Sequence, residues 1–323
     1  MAPLRLHFLN VGHGDCTLVE LPSGRLMMID ISNSKSLPET DIDALAAHEG
    51  LSTYDFRYRS LYQGMRSWES YYESLLVDPV DYYNDHFDGQ SIFRYIQSHP
   101  DMDHMTGLHR FFWQEKIPLG CFWDMNHHKK IEDFTSPRFS EVDWRAYEVM
   151  RGGEGPDGSD LVVIRNLRRY TGQYWTDDNI EVLSPTTELI TICDKNDNYN
   201  DCSYVFKVNY GGRSVILPGD AEAAAWSSML DDLGPYALKC DVLKAAHHGR
   251  ESGYHEEAVN AMSPDVVICS VGKKPETDAS DEYASHGAEV FSTRYHGTIT
   301  VTIWDDGDIW VKDHSGNMIH RIT

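Results

Sequence analysis

Four side chains that can hold a metal ion fall within six residues, in the stretch Ser98-His99-Pro100-Asp101-Met102-Asp103-His104. Imidazoles and carboxylates packed this densely repel one another or lose hydration unless a cation compensates them. Mixed nitrogen and oxygen donors suit Zn2+, Mn2+ or Fe2+. A polar turn that happens to carry two His and two Asp is the competing explanation for this segment taken alone. Further groups of the same kind stand where other apolar runs end: Asp30 after Leu26-Met27-Met28-Ile29, Asp220 after Ser214 to Leu217, and His247-His248 after Cys240 to Ala246. Ligands at strand ends converge on one edge of a sheet, a common layout for loop-borne chemistry on a rigid support.

The elements that must position these groups follow from the hydrophobic pattern. Leu4 to Val11, Cys16 to Leu21 and Leu26 to Ile29 are separated by Gly12-His13-Gly14-Asp15 and Pro22-Ser23-Gly24, which predicts three short strands at the edge of a mostly antiparallel sheet. Residues 34–90 carry Tyr54, Phe56, Tyr58, Tyr62, Trp68, Tyr71, Tyr72, Tyr82 and Tyr83 with weak periodicity. Their spacing predicts helices packed on the main sheet; a substrate lid or dimer contact is the sharper alternative. Ile92 to Ile96 is a strand leading into the ligand turn, and a helical pattern starts near Thr106. Strands are expected at Leu119 to Asp124, Asn179 to Leu183, Ser203 to Tyr210, Ser214 to Leu217, Cys240 to Ala246 and Val266 to Val271, a helix at Ala221 to Leu233, and a closing hairpin from Gly297 to Val311. No repeat or low-complexity linker interrupts the chain. One domain spanning residues 1–323 is expected, with insertions at about 34–90 and 125–180.

Composition narrows the function classes. An apolar fraction of 41% fills an ordinary core. There is no run of 18 apolar residues, so no membrane helix and no membrane partner are expected. The start lacks the pattern of a signal peptide, which favours the cytoplasm. Six scattered cysteines, none in a C-x-x-C pair, read as small buried hydrophobes. A net charge of −23 gives no general attraction to nucleic acid, which is admitted only as a substrate held through metal ions. Homo-oligomer formation is left open.

Five ordered segments carry a resemblance: Phe8-Leu9-Asn10-Val11-Gly12-His13-Gly14-Asp15, Ser98 to His104, Leu217-Pro218-Gly219-Asp220, Leu243-Lys244-Ala245-Ala246-His247-His248-Gly249 and Gly297-Thr298-Ile299-Thr300. Together they resemble the metallo-β-lactamase fold hydrolases, and within them the metallo-hydrolase domain of the DNA-uptake competence protein ComEC. The resemblance implies an α+β chain folded as a four-layered αβ/βα sandwich, with helical insertions and one or two ions of Zn2+ or Mn2+ at the sheet edge. It implies that His99 and Asp101 serve one metal position and Asp103 and His104 the other. Asp220 bridges them, His247 completes the second position in preference to His248, and Asp30 orients the ligands. Two departures stand out. Asp101 replaces the second His of the broader H-x-H-x-D-H pattern, and Asn200 falls where an isolated third His is usual, leaving the first position poorer in nitrogen.

Two cations roughly 3.5–4 Å apart, bridged by a carboxylate and hydroxide, make a hydrolytic site. The expected activity is therefore that of a metal-dependent hydrolase acting on phosphodiesters, as a nuclease or a cyclic-nucleotide hydrolase. Asp103 would relay a proton, Lys244 would stabilise the leaving side, and His13, His127 and His128 would line the substrate. Hydrolysis of a thioester, lactone or β-lactam is the alternative for the same site. A non-catalytic binding or redox protein reusing the fold is the alternative of a different class.

Overall fold

The computed structural model describes residues 2–34, 41–62, 64–136, 139–273 and 276–323. Residues 35–40, 63 and 137–138, within the two segments expected as insertions, lie outside them. Among the described residues, fifteen strands form two sheets. The first sheet holds β1 (Leu4–Phe8), β2 (Thr17–Glu20), β3 (Leu26–Ile29), β4 (Ile92–Ile96), β5 (Leu119–Trp123), β6 (Val162–Ile164), β13 (Ile299–Ile303), β14 (Ile309–Lys312) and β15 (Met318–Ile322), in the order β15-β14-β13-β1-β2-β3-β4-β5-β6. The second holds β7 (Ile180–Ser184), β8 (Val205–Tyr210), β9 (Arg213–Leu217), β10 (Val242–Lys244), β11 (Val266–Cys269) and β12 (Glu289–Ser292), in the order β12-β11-β10-β9-β8-β7.

The period-two alternation of these strands decides the layers. Leu4, Leu6 and Phe8 of β1 face Val215 and Leu217 of β9 in a core shared by the two sheets. The intervening positions of the first sheet, among them Leu18, Met28 and Tyr95, pack outward on Val80, Phe111 and Tyr147. On the far side, Ile216, Leu243 and Val267 pack on Trp226, Met229 and Val259 of the helices Ala223–Leu233 and Glu256–Met262. Strands covered on both faces read as continuous apolar runs, as Leu26 to Ile29 and Val266 to Cys269 do. The result is the expected helix–sheet–sheet–helix order, an αβ/βα sandwich of mixed parallel and antiparallel strands.

Two expectations need correction. The first three strands are not at an edge. β13 returns to pair antiparallel with β1, Leu4 opposite Ile303 and Phe8 opposite Ile299, and puts the opening hairpin in the middle of the larger sheet. Of the Tyr-rich segment, Tyr82 and Tyr83 pack on the main sheet, but Phe56, Trp68 and Tyr72 build a satellite core of their own with Ile42, Leu45 and Leu75. Strands β6, β12 and β15 escaped the sequence pattern because they are short or only partly buried, so their alternation is weak. No helix among the described residues is long and apolar enough to cross a membrane.

Strand β4 delivers the ligand turn and is anchored by charge. Arg94 is buried within it, and its Nη2 lies 2.8 Å from Asp178 Oδ2, while Arg25 reaches Asp178 Oδ1 at 2.9 Å. Removing the carboxylate leaves a buried guanidinium without its partner. Asp178→Ala is expected to cost about 3–5 kcal/mol, read from the denaturation midpoint. A loss below about 1 kcal/mol, the scale of an exposed pair, would contradict this anchoring.

Candidate metal centre

The loops that follow β3, β4, β9 and β10 bring their polar residues together. Asp30 takes a left-handed backbone (φ 56°) directly after β3. Its carboxylate turns back on the ligand turn: Oδ1 accepts from the Ser98 backbone N–H at 2.7 Å, and Oδ2 from Ser98 Oγ at 2.6 Å and His104 Nδ1 at 2.8 Å. Gly219 (φ 56°) carries the chain past Ser98; a Cβ there would lie 2.9 Å from Ser98 Cβ. Gly14 is equally constrained, since a Cβ on it would meet the Asp103 carbonyl oxygen at 2.1 Å.

Four imidazoles converge on one oxygen. Nε2 of His104, His248, His247 and His99 lies 3.1, 3.5, 3.7 and 3.8 Å from Asp220 Oδ2. Each ring is oriented from behind through Nδ1: His104 by Asp30, His248 by the Ser270 carbonyl at 3.0 Å, His99 by Ser98 Oγ at 3.0 Å, and His247 by Glu222 at 2.9 Å and Ser252 at 2.7 Å. A neutral ring held by Nδ1–H presents the Nε2 lone pair forward. Asp103 Oδ2 closes the open side, 3.5 Å from His248 Nε2 and 3.4 Å from His13 Nε2.

The donor set fits a divalent cation. Nε2 of His99, His104 and His248 and Oδ1 of Asp220 are buried without a hydrogen-bond partner among the described residues. Buried polar atoms are ordinarily paired, and here they share a focus. Asp15, His104, Asp220 and His248 have ligand atoms all within 4.8 Å of one another. Asp15 supports this group from behind: Oδ2 approaches the rings at Nδ1 (3.7 Å for His248, 4.0 Å for His104) and pairs with Lys244 Nζ at 2.5 Å.

Burial and neighbouring charge set the electrostatics of the centre. Burial opposes a charge on His104, but the carboxylates of Asp220 and Asp30 outweigh it and raise its pKa well above the ordinary value. Burial likewise opposes a charge on His248, and Asp220 and Asp15 raise it. For His99, burial and the neighbouring His104 prevail and lower it. Asp220 is penalised by burial, yet His104 and His248 hold it well below the carboxylate range.

Several expected site residues lie elsewhere. His248, not His247, stands beside Asp103 and His104. Both take left-handed backbones (φ 48° and 59°), which splays the adjacent rings to 59° and sends His247 toward Glu222 and Arg250. Lys244 is buried against Asp15 behind the rings, which removes it from the leaving side. His127 is buried on Tyr147 at 2.7 Å, with burial lowering its pKa to about 2, so it does not line a substrate. His128 is exposed and tied to Asp194 at 2.6 Å. Asn200 stays behind the centre: it donates to Glu222 at 3.2 Å, the carboxylate that holds His247 Nδ1. His13 does sit at the mouth, with 54% of its side chain exposed. Asp15, Glu222 and Lys129, whose ammonium touches Asp101, were not anticipated. Asp15 closes the opening motif and Glu222 follows Asp220 by two residues; Lys129 leaves no signal in the sequence.

Protons compete with a cation for Nε2 of His104 and His248. The pKa of both rings is raised by the surrounding carboxylates, so affinity is expected to rise with pH. Titration with Zn2+ or Mn2+ at about pH 7, in buffers of different ionisation enthalpy, should show release of about one to two protons per cation. Buffer-independent heats would contradict this charge balance.

No protein-family profile matches the chain. It is 30% identical over 138 residues to Recombination protein 2 of Haemophilus influenzae, covering 41% of this chain and 16% of that protein. It is 31% identical over 209 residues to ComE operon protein 3 of Bacillus subtilis, covering 63% and 24%. Competence protein ComA of Neisseria gonorrhoeae is 26% identical over 130 residues, covering 39% and 18%. The chain therefore spans under a quarter of the length of these curated relatives. Among solved structures, Igni18, a metallo hydrolase of the archaeon Ignicoccus hospitalis, superposes with a TM-score of 0.49 at 14% identity, over 92% of this chain and 98% of that one. The chain has the layer order of the metallo-β-lactamase fold, and in sequence it is similar to the competence proteins of the ComEC type.

Proposed function

We propose that this chain is a metal-dependent hydrolase of phosphodiesters, of the nuclease or cyclic-nucleotide type. The observation that carries the proposal is the convergence of four imidazole Nε2 atoms on Asp220 Oδ2, with Asp103 and His13 at the open side. His104, His248, Asp103 and Asp220 would hold the cation. When bound, a divalent ion there supplies a Lewis acid that polarises a phosphoryl oxygen and acidifies water.

The chain's own residues do the rest. Asp30 fixes the His104 ring and the Ser98 backbone together, so the ligand turn cannot swing away from Asp220. Burial would raise Asp103, but the neighbouring His248 and His104 hold its pKa far below the usual range. Asp103 Oδ2, at the open side, would ligate the cation and relay a proton. His13, half-exposed and 3.4 Å from Asp103, is placed to donate to a phosphate oxygen entering from solvent. The acidity of the chain favours a site in which a cation reverses the local sign. Relatives named for competence and recombination support a nucleic-acid phosphodiester as the bond cut.

Purified protein supplied with Mn2+ or Zn2+ is expected to cleave bis(p-nitrophenyl)phosphate, and a panel of DNA, RNA and cyclic nucleotides then identifies the substrate. His104→Ala and Asp103→Ala should abolish turnover. Asp30→Asn should weaken metal binding about 10–100-fold by loosening its partners. Undiminished turnover in the first two variants would overturn the mechanism. Cleavage of thioesters or lactams with no action on phosphodiesters would overturn the substrate class.

A further inference from the structure

The two sides of Asp220 differ in charge. On one side stand His104, His248 and Asp103. The cation of the chain associated with this side, Lys244, is spent on Asp15 behind the rings. On the other side stand His99, Asp101 and His247, and two cationic side chains already reach them. The Lys129 ammonium contacts Asp101 Oδ1. Arg250 Nη1 approaches His247 Nε2 at 3.4 Å and takes up that lone pair. Asp101 Oδ2 is 3.8 Å from His99 Nε2, which is buried and has no hydrogen-bond partner among the described residues.

Lys129 is held in place. Its ammonium lies 5.1 Å from the Tyr199 ring centre, within cation–π range. Its backbone N–H donates to His127 Nδ1 at 3.0 Å, and Arg151 Nη2 grips the His127 carbonyl at 2.9 Å. His128 is tied on both its backbone N–H and its ring to Asp194. The two histidines therefore fasten the loop that carries Lys129 over the centre. A fixed ammonium on one oxygen of a ligand carboxylate opposes a divalent cation at the other oxygen by like-charge repulsion.

Building on the metal-binding reading above, we propose that the Lys129 ammonium takes the place of one of two cations by neutralising Asp101. The centre then binds a single divalent ion, on the His104–His248–Asp103 side of Asp220. Lys129 is a positioning and charge-balancing residue in this arrangement, and its removal opens a second site formed by His99, Asp101 and Asp220.

The test is metal stoichiometry. The full chain is dialysed to equilibrium against buffered Mn2+, its metal content is measured by mass spectrometry, and electron paramagnetic resonance tests for coupled ions. Wild type is expected to hold one equivalent with an uncoupled Mn2+ signal. Lys129→Met should gain a second equivalent and a coupled signal, and Lys129→Arg, which keeps the charge, should hold one. Two coupled ions in wild type would overturn this inference and leave the hydrolase reading standing. One ion in Lys129→Met, with a wild-type isotherm, would overturn the role of Lys129. No bound metal in wild type would overturn the metal centre itself.

Discussion

A buried carboxylate has to be compensated, and in this chain that carboxylate is Asp220. Moving an ion out of water costs several kcal/mol even after the surroundings relax. Asp220 is buried in a cluster that also holds Asp15, Asp30 and Asp103. The structure meets this burden by aiming four Nε2 atoms at one oxygen and placing Lys244 behind Asp15. Each ring depends on its own Nδ1 partner, and those partners come from different loops. Loss of any one of them loosens the focus without touching a ligand.

The fold exists in the form this focus requires. Asp30 and the ligand turn come from the larger sheet, and Asp220 with the paired histidines comes from the smaller one. The sheets are tied across the site where the Tyr204 backbone N–H donates to the Ser98 carbonyl at 2.9 Å. The loops pass so closely that Gly14 and Gly219 leave no room for a side chain. The apolar core between β1 and β9 sets the separation of the sheets, and so the span the ligands must bridge.

Much of this was legible in the sequence, for identifiable reasons. A cluster as dense as His99 to His104, and an acidic residue directly after an apolar run, carry their signal locally; Asp30 and Asp220 were found that way. The choice between His247 and His248 was not local, because two successive left-handed residues decide which ring turns inward. The place of Lys244 is not local either, because its partner Asp15 lies across the sandwich. Lys129 was invisible because its contact with Asp101 spans 28 residues and rests on Tyr199 and His127. The central position of the opening hairpin depended on β13, almost three hundred residues away, which no turn signal near β1 could reveal.

Asp220 is the point where a cation is proposed to be held. Anomalous diffraction from crystals grown with Zn2+ tests it most directly. A peak is expected about 2.0–2.2 Å from Asp220 Oδ2 and from Nε2 of His104 and His248. A cation found elsewhere, or none at a concentration that saturates the protein in solution, would contradict it.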